Sequence, residues 1–117
     1  MNQETAMWLS FDRGRTIGKS GSETGAILLD EEHANGARIT LEGGGRVASF
    51  AITCGIYGWM VHTRFFASEK EARRAYEDMK PALDEIIRSI PLESDPDHDK
   101  KIKATTQRID EFVQRYP

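Results

Sequence analysis

Val47-Ala48-Ser49-Phe50-Ala51-Ile52-Thr53-Cys54 and Trp59-Met60-Val61-His62-Thr63-Arg64-Phe65-Phe66 are two short runs joined by Gly55-Ile56-Tyr57-Gly58. Each alternates β-branched or aromatic residues with smaller or polar ones, and each is bounded by glycine, which predicts strands rather than helix turns. A connection this short makes the two strands antiparallel neighbours. Upstream, residues 37–42 form another alternating run, reached through Gly43-Gly44-Gly45-Arg46. Residues 25–30 form a further one, separated from it by Glu31-Glu32-His33-Ala34-Asn35-Gly36 with Asn-Gly as the turn signal. The result is an antiparallel four-stranded meander, with residues 7–12 available as a fifth, edge strand.

Downstream the character changes. All ten glycines lie between Gly14 and Gly58, and residues 67–117 carry 22 charged side chains against 13 in residues 1–66. Ser68-Glu69-Lys70-Glu71 is a capping box. Apolar residues then recur at Ala72, Ala75, Tyr76, Met79, Leu83, Ile86, Ile87 and Ile90, which is helical spacing. Pro81 interrupts the pattern and Pro91 ends it. Asp95 as N-cap with Pro96 in the first turn opens a last helix, whose stripe is Ile102, Ile109, Phe112, Val113 and Tyr116. Thr105 and Thr106 weaken that stripe. The expected fold is α+β: the meander, a long helix packed on one face, and a C-terminal helix, in a single domain over residues 1–117.

The chain has 117 residues, a net charge of −3 and one cysteine. The charge gives no reason to expect a nucleic-acid partner. Cys54 alone excludes an internal disulfide, and the polar start at Met1–Glu4 lacks the pattern of a secretory leader, so a cytoplasmic protein is expected. No apolar run approaches bilayer length, so no membrane is expected.

Taking the loops at four residues each sets a register. Cys54 then faces Trp59, Ile52 faces Val61, Phe50 faces Thr63 and Ile39. One face collects Ile39, Leu41, Phe50, Ile52, Trp59, Val61 and Phe65 as the partner of the long helix. The other collects Arg38, Thr40, Ser49, Ala51, His62 and Arg64. Small central residues flanked by two arginines and a histidine make a candidate ligand site for a carboxylate or phosphate: Arg38, Thr40, Ser49, His62 and Arg64. A plain solvated sheet surface is the alternative reading of the same residues. Ile56 and Tyr57 at the hairpin tip are a candidate contact patch.

Other motifs fail on spacing. Gly14-Arg15-Thr16-Ile17-Gly18-Lys19-Ser20 has one residue too few between its glycines for a phosphate-binding loop and no helix after it. It reads as a mobile glycine- and serine-rich connection. Asp95, Asp97 and Asp99 open like a calcium loop, but Lys100 and Thr106 stand where glycine and glutamate are required. On the assumed register Cys54 and His62 point to opposite sides of the sheet, which denies them a thiolate–imidazole pair. His33 falls in a turn with no partner set by spacing. No zinc signature is present and no cofactor is implied. The function expected is a small non-catalytic binding or protein-interaction module that forms a homodimer; a small enzyme or small-anion sensor built on Arg38, His62 and Arg64 is the alternative.

Overall fold

The structure, a computed structural model, describes residues 7–117. Residues 1–6, including the polar start weighed against a leader, lie outside it. Five strands form one antiparallel sheet in chain order: β1 (Trp8–Ser10), β2 (Ala26–His33), β3 (Ala37–Gly43), β4 (Phe50–Ile56) and β5 (Met60–Phe66). Helices α1 (Glu69–Ser89) and α2 (His98–Arg115) follow. The fifth strand is thus present, at the β2 edge of the sheet. No helix among the described residues is long and apolar enough to cross a membrane.

α1 forms where the sequence places it. Ser68 caps it, its hydroxyl accepting from the Glu71 N–H at 3.4 Å, and Pro81 sits inside it without ending it. Its buried stripe, Ala72, Tyr76, Met79, Leu83, Ile86 and Ile87, lies on Ile39, Leu41, Ile52, Cys54 and Ile56 of the sheet. α2 starts two residues later than expected, with Asp97 as N-cap. Asp95 instead accepts from the Asp97 N–H at 2.8 Å and pairs with Lys101 at 2.5 Å. Thr105 is not a weak point of α2: it is fully buried, with its hydroxyl 2.9 Å from the Ser89 carbonyl at the end of α1.

The register differs from the four-residue-loop expectation in a way that matters. The β3–β4 connection runs over 44–49, so Ile39 faces Cys54 and Leu41 faces Ile52. That shifts the pairing but keeps each side chain on its expected face. The β4–β5 connection is only Tyr57, Gly58 and Trp59, closed by the Trp59 N–H on the Ile56 carbonyl at 2.9 Å. Gly58 takes φ +83°, a conformation other residues rarely adopt. Trp59 is therefore a turn residue, and β5 is turned over relative to expectation. Cys54 faces His62 and Ile52 faces Arg64 on the helix side. Val61, Thr63 and Phe65 lie on the outer side, where Val61 is 80% and Phe65 46% exposed.

His33 also differs from expectation. It ends β2 rather than sitting in a turn, and it is buried beneath α1. Its Nδ1 accepts from the Asn35 N–H at 3.0 Å, so Nε2 carries the proton and donates to Asp84 Oδ1 at 2.7 Å. Arg88 Nη2 lies 2.6 Å from the other oxygen of Asp84, and the Trp8 ring meets His33 edge-on at 5.1 Å. This buried polar cluster joins β1, β2 and α1.

The parity of β5 is testable. Ile52→Ala empties space beneath α1 and is expected to cost about 2 to 5 kcal/mol. Val61→Ala is expected to change stability by less than about 0.5 kcal/mol. Chemical denaturation of the two variants measures both, and equal losses would contradict the observed facing of β5.

Candidate functional site

The outer face of the sheet is laid out in rows. Arg38, Gly55 and Val61 form one, Thr40, Thr53 and Thr63 the next, and Glu42, Ala51 and Phe65 the third. Residues 14–20, expected to be a mobile connection, and the residues that lead from them to β2 instead fold over part of this face. The Gly18 N–H donates to the Ile27 carbonyl and the Ile27 N–H to the Lys19 carbonyl, both at 2.8 Å. Glu42, only 1% exposed, holds the far end of the segment: its Oε1 accepts from the N–H groups of Glu23 at 3.0 Å and Gly25 at 2.9 Å. A methyl group at Gly21 would come within 2.4 Å of Glu42 Oε2, so a side chain there would force the Glu42 carboxylate to move.

Between this cover and the β4–β5 tip lies a groove of about 670 Å³. Ser22 and Ile27 form one wall, Thr40, Thr53 and Gly55 the floor, and Tyr57, Trp59 and Val61 the other wall. The Ser22 and Thr53 hydroxyls are 3.3 Å apart, and those of Thr53 and Thr63 3.4 Å. At one end stands Arg38. Its Nε donates to Asp30 Oδ1 at 2.9 Å and its Nη2 to Oδ2 at 2.7 Å, while its guanidinium lies 3.6 Å above the Phe11 ring. Asp30 accepts two further hydrogen bonds, from Thr16 at 2.7 Å and Thr40 at 3.0 Å. Burial alone would raise the Asp30 pKa, but these hydrogen bonds outweigh it and hold the carboxyl below the ordinary aspartate range. The Asp30 hydrogen bond correspondingly raises the pKa of Arg38. Arg38 is thus a neutralised, rigidly held donor rather than a free positive charge. Its Nη1 makes no hydrogen bond among the described residues.

Of the residues picked from the sequence, Arg38 and Thr40 line this groove. Ser49 sits in the β3–β4 loop, where its carbonyl accepts from the Gly44 N–H at 2.8 Å. His62 and Arg64 are on the other side of the sheet, so the expected group of Arg38, His62 and Arg64 does not converge. His62 Nε2 donates to the Tyr116 carbonyl at 2.5 Å. Arg64 donates to the Pro117 carbonyl at 3.2 Å and lies 5.2 Å from the Tyr116 ring centre. The tip divides: Ile56 is core, whereas Tyr57 is 59% exposed and lines the groove. Cys54 and His62 face each other after all, on the helix side. They still form no reactive pair, because burial pushes the Cys54 thiol up to about 12 and the His62 ring is committed to Tyr116.

The sequence reading missed Asp30, Thr53, Ser22 and Phe11. Asp30 carried a signal: it is the first of three carboxylates after the apolar run Ile27-Leu28-Leu29, and alternation puts it on the side of the sheet opposite Leu29, across a short turn from Arg38. Among the described residues, no cluster of three histidine, cysteine, aspartate or glutamate side chains could hold a metal ion. Comparison with protein-family models, with curated proteins and with solved structures found no match.

The depressed Asp30 pKa predicts an acid limb. Its contribution to stability is complete above the unfolded-state value of about 4 and is lost as pH falls through the lower folded-state value. Asp30→Asn is expected to lose about 1 to 3 kcal/mol at pH 7 and to show a shallower loss below about pH 4. Denaturation midpoints between neutral and acid pH measure this. An unchanged acid limb in Asp30→Asn would assign the acid sensitivity to other groups.

Proposed function

We propose that this protein is a non-catalytic binding module whose ligand site is the outer-face groove. One observation carries the reading: a preformed concavity of about 670 Å³ with an aromatic wall and a few fixed polar groups. That size and lining are what small-ligand sites have in common. Arg38, Thr40 and Thr53 supply donors and hydroxyls, and Tyr57 and Trp59 supply flat apolar surface. Because Asp30 already neutralises Arg38, the groove favours a neutral ligand with hydrogen-bond acceptors over a free anion. In this reading the chain works in a reducing cytosol, where a lone buried thiol such as Cys54 stays reduced. The position of β5 at the end of the sheet also leaves its backbone open to a second chain, either another copy or a different partner.

The test is a fragment screen by amide chemical shifts, with aromatic amides set against aromatic carboxylates. Saturable binding is expected to move Ser22, Thr53, Gly55 and Tyr57, with amides preferred. A fragment at a hundredfold excess over its Kd should raise stability by about 2.7 kcal/mol. Thr53→Phe, which fills the floor, should abolish both effects. Binding that perturbs other surfaces, or that survives Thr53→Phe, would overturn the assignment.

A further inference from the structure

β5 is a long edge strand whose backbone is unpaired on its outer side among the described residues. It spans Met60–Phe66, pairs with β4 without a bulge, contains no proline or lysine, and has no neighbour on its other side among the described residues. The opposite edge, β1, is only three residues long and runs straight into a 3-10 turn. Long free edges accept strands from other chains. The two sides of β5 differ sharply. Outward it shows Val61, Thr63 and Phe65, of which Val61 and Phe65 are exposed apolar groups. Toward the helices it shows His62 and Arg64. Neither forms an ion pair with aspartate or glutamate among the described residues. Arg64 is nevertheless partly desolvated, and that burial depresses its pKa. Its Nε and Nη1 are met by the Pro117 oxygen and the Met79 sulfur, and no aspartate or glutamate side chain matches its charge among the described residues.

These side chains select the occupant. In an antiparallel pairing of two copies centred on Thr63, His62 would lie opposite Arg64 of the partner subunit. Centred on His62 or on Arg64, each would meet its own copy. β5 contains no aspartate or glutamate, so a second copy would offer Arg64 no carboxylate in any of these pairings, and the pairing centred on Arg64 would oppose two arginines. A carboxylate opposite Arg64 would answer it.

We infer that the outer edge of β5 receives an extended segment of a partner protein, with acidic side chains toward α2 and apolar side chains toward the groove. Backbone hydrogen bonds supply the general affinity and the alternation supplies the choice of partner. The inference rests on reading the groove as a ligand site, since the groove reaches this edge at Met60 and Val61. An apolar side chain placed beside Val61 enters it there.

The test uses the whole chain and two peptides of about eight residues, a length suited to one strand. One alternates glutamate with valine and phenylalanine; the other replaces each glutamate with lysine. The glutamate peptide is expected to bind about tenfold or more tightly than its lysine counterpart. It should also slow amide exchange along β5. Val61→Lys, at an exposed position that leaves the core untouched, should weaken it by a similar factor, and Arg64→Gln should erase the preference between the two peptides. Equal binding of both peptides, or no protection of β5, would overturn the inference. So would β5 protection without peptide together with a species of twice the chain mass by light scattering, which would make a second copy the occupant. Failure of the groove reading looks different: fragments then bind nowhere near Thr53 while the glutamate peptide still protects β5. If only the edge assignment fails, groove fragments still bind and β5 stays unprotected.

Discussion

The turn from Ile56 to Trp59 settles what the edge strand shows to each side of the sheet. Its three-residue loop, with Gly58 at φ +83°, places Met60 opposite Ile56. Every later residue of β5 follows by alternation. His62 and Arg64 are thereby sent beneath the C-terminal end of α2, and Val61 and Phe65 out beside the groove. A loop one residue longer would exchange the two sets. The cationic inner side and the apolar outer side of the edge are thus consequences of one local backbone geometry.

The rest of the sheet is tied to its coverings by buried polar groups as much as by apolar packing. On the outer face Asp30 gathers Arg38, Thr16 and Thr40, and Glu42 gathers the backbone of Glu23 and Gly25. Both carboxylates come from central strands and both reach into residues 15–25, so the glycine-rich segment has a defined place. On the inner face His33 and Asp84 do the same between β2 and α1, and the Glu31 carboxylate accepts from the Tyr76 hydroxyl at 2.8 Å. Buried groups of this kind are tolerated only when partnered, so each one restricts the arrangements the chain can adopt. Glu42 Oε2 and Trp8 Nε1 are exceptions, without partners among the described residues.

The groove and the free edge share residues, and this links two ways of binding. The groove offers shape, flat aromatic surface and a few fixed donors. The edge offers backbone hydrogen bonds and a charge pattern. Arg38 belongs only to the groove and Arg64 only to the inner side of the edge. Their separation by the thickness of the sheet is why they cannot act on one anion.

The sequence by itself determined the elements and their order: glycine-bounded alternating runs for the strands, the Ser68 capping box and helical stripe for α1, and antiparallel neighbours from short connections. It also placed Ile39, Leu41, Ile52 and Cys54 on the buried side, because period-two alternation survives a shift of pairing by an even number of residues. Two of the five residues picked for the candidate ligand site, Arg38 and Thr40, were legible in the same way. Tertiary structure alone decided the facing of β5, since one residue more or less in a loop reverses alternation and composition does not count loop residues. It alone decided the burial of Asp30, Glu42, His33 and Thr105, whose partners come from as far as 51 residues away in the chain. A polar side chain in a strand reads as surface until the segment that covers it, and the donor that satisfies it, have been brought there by the fold.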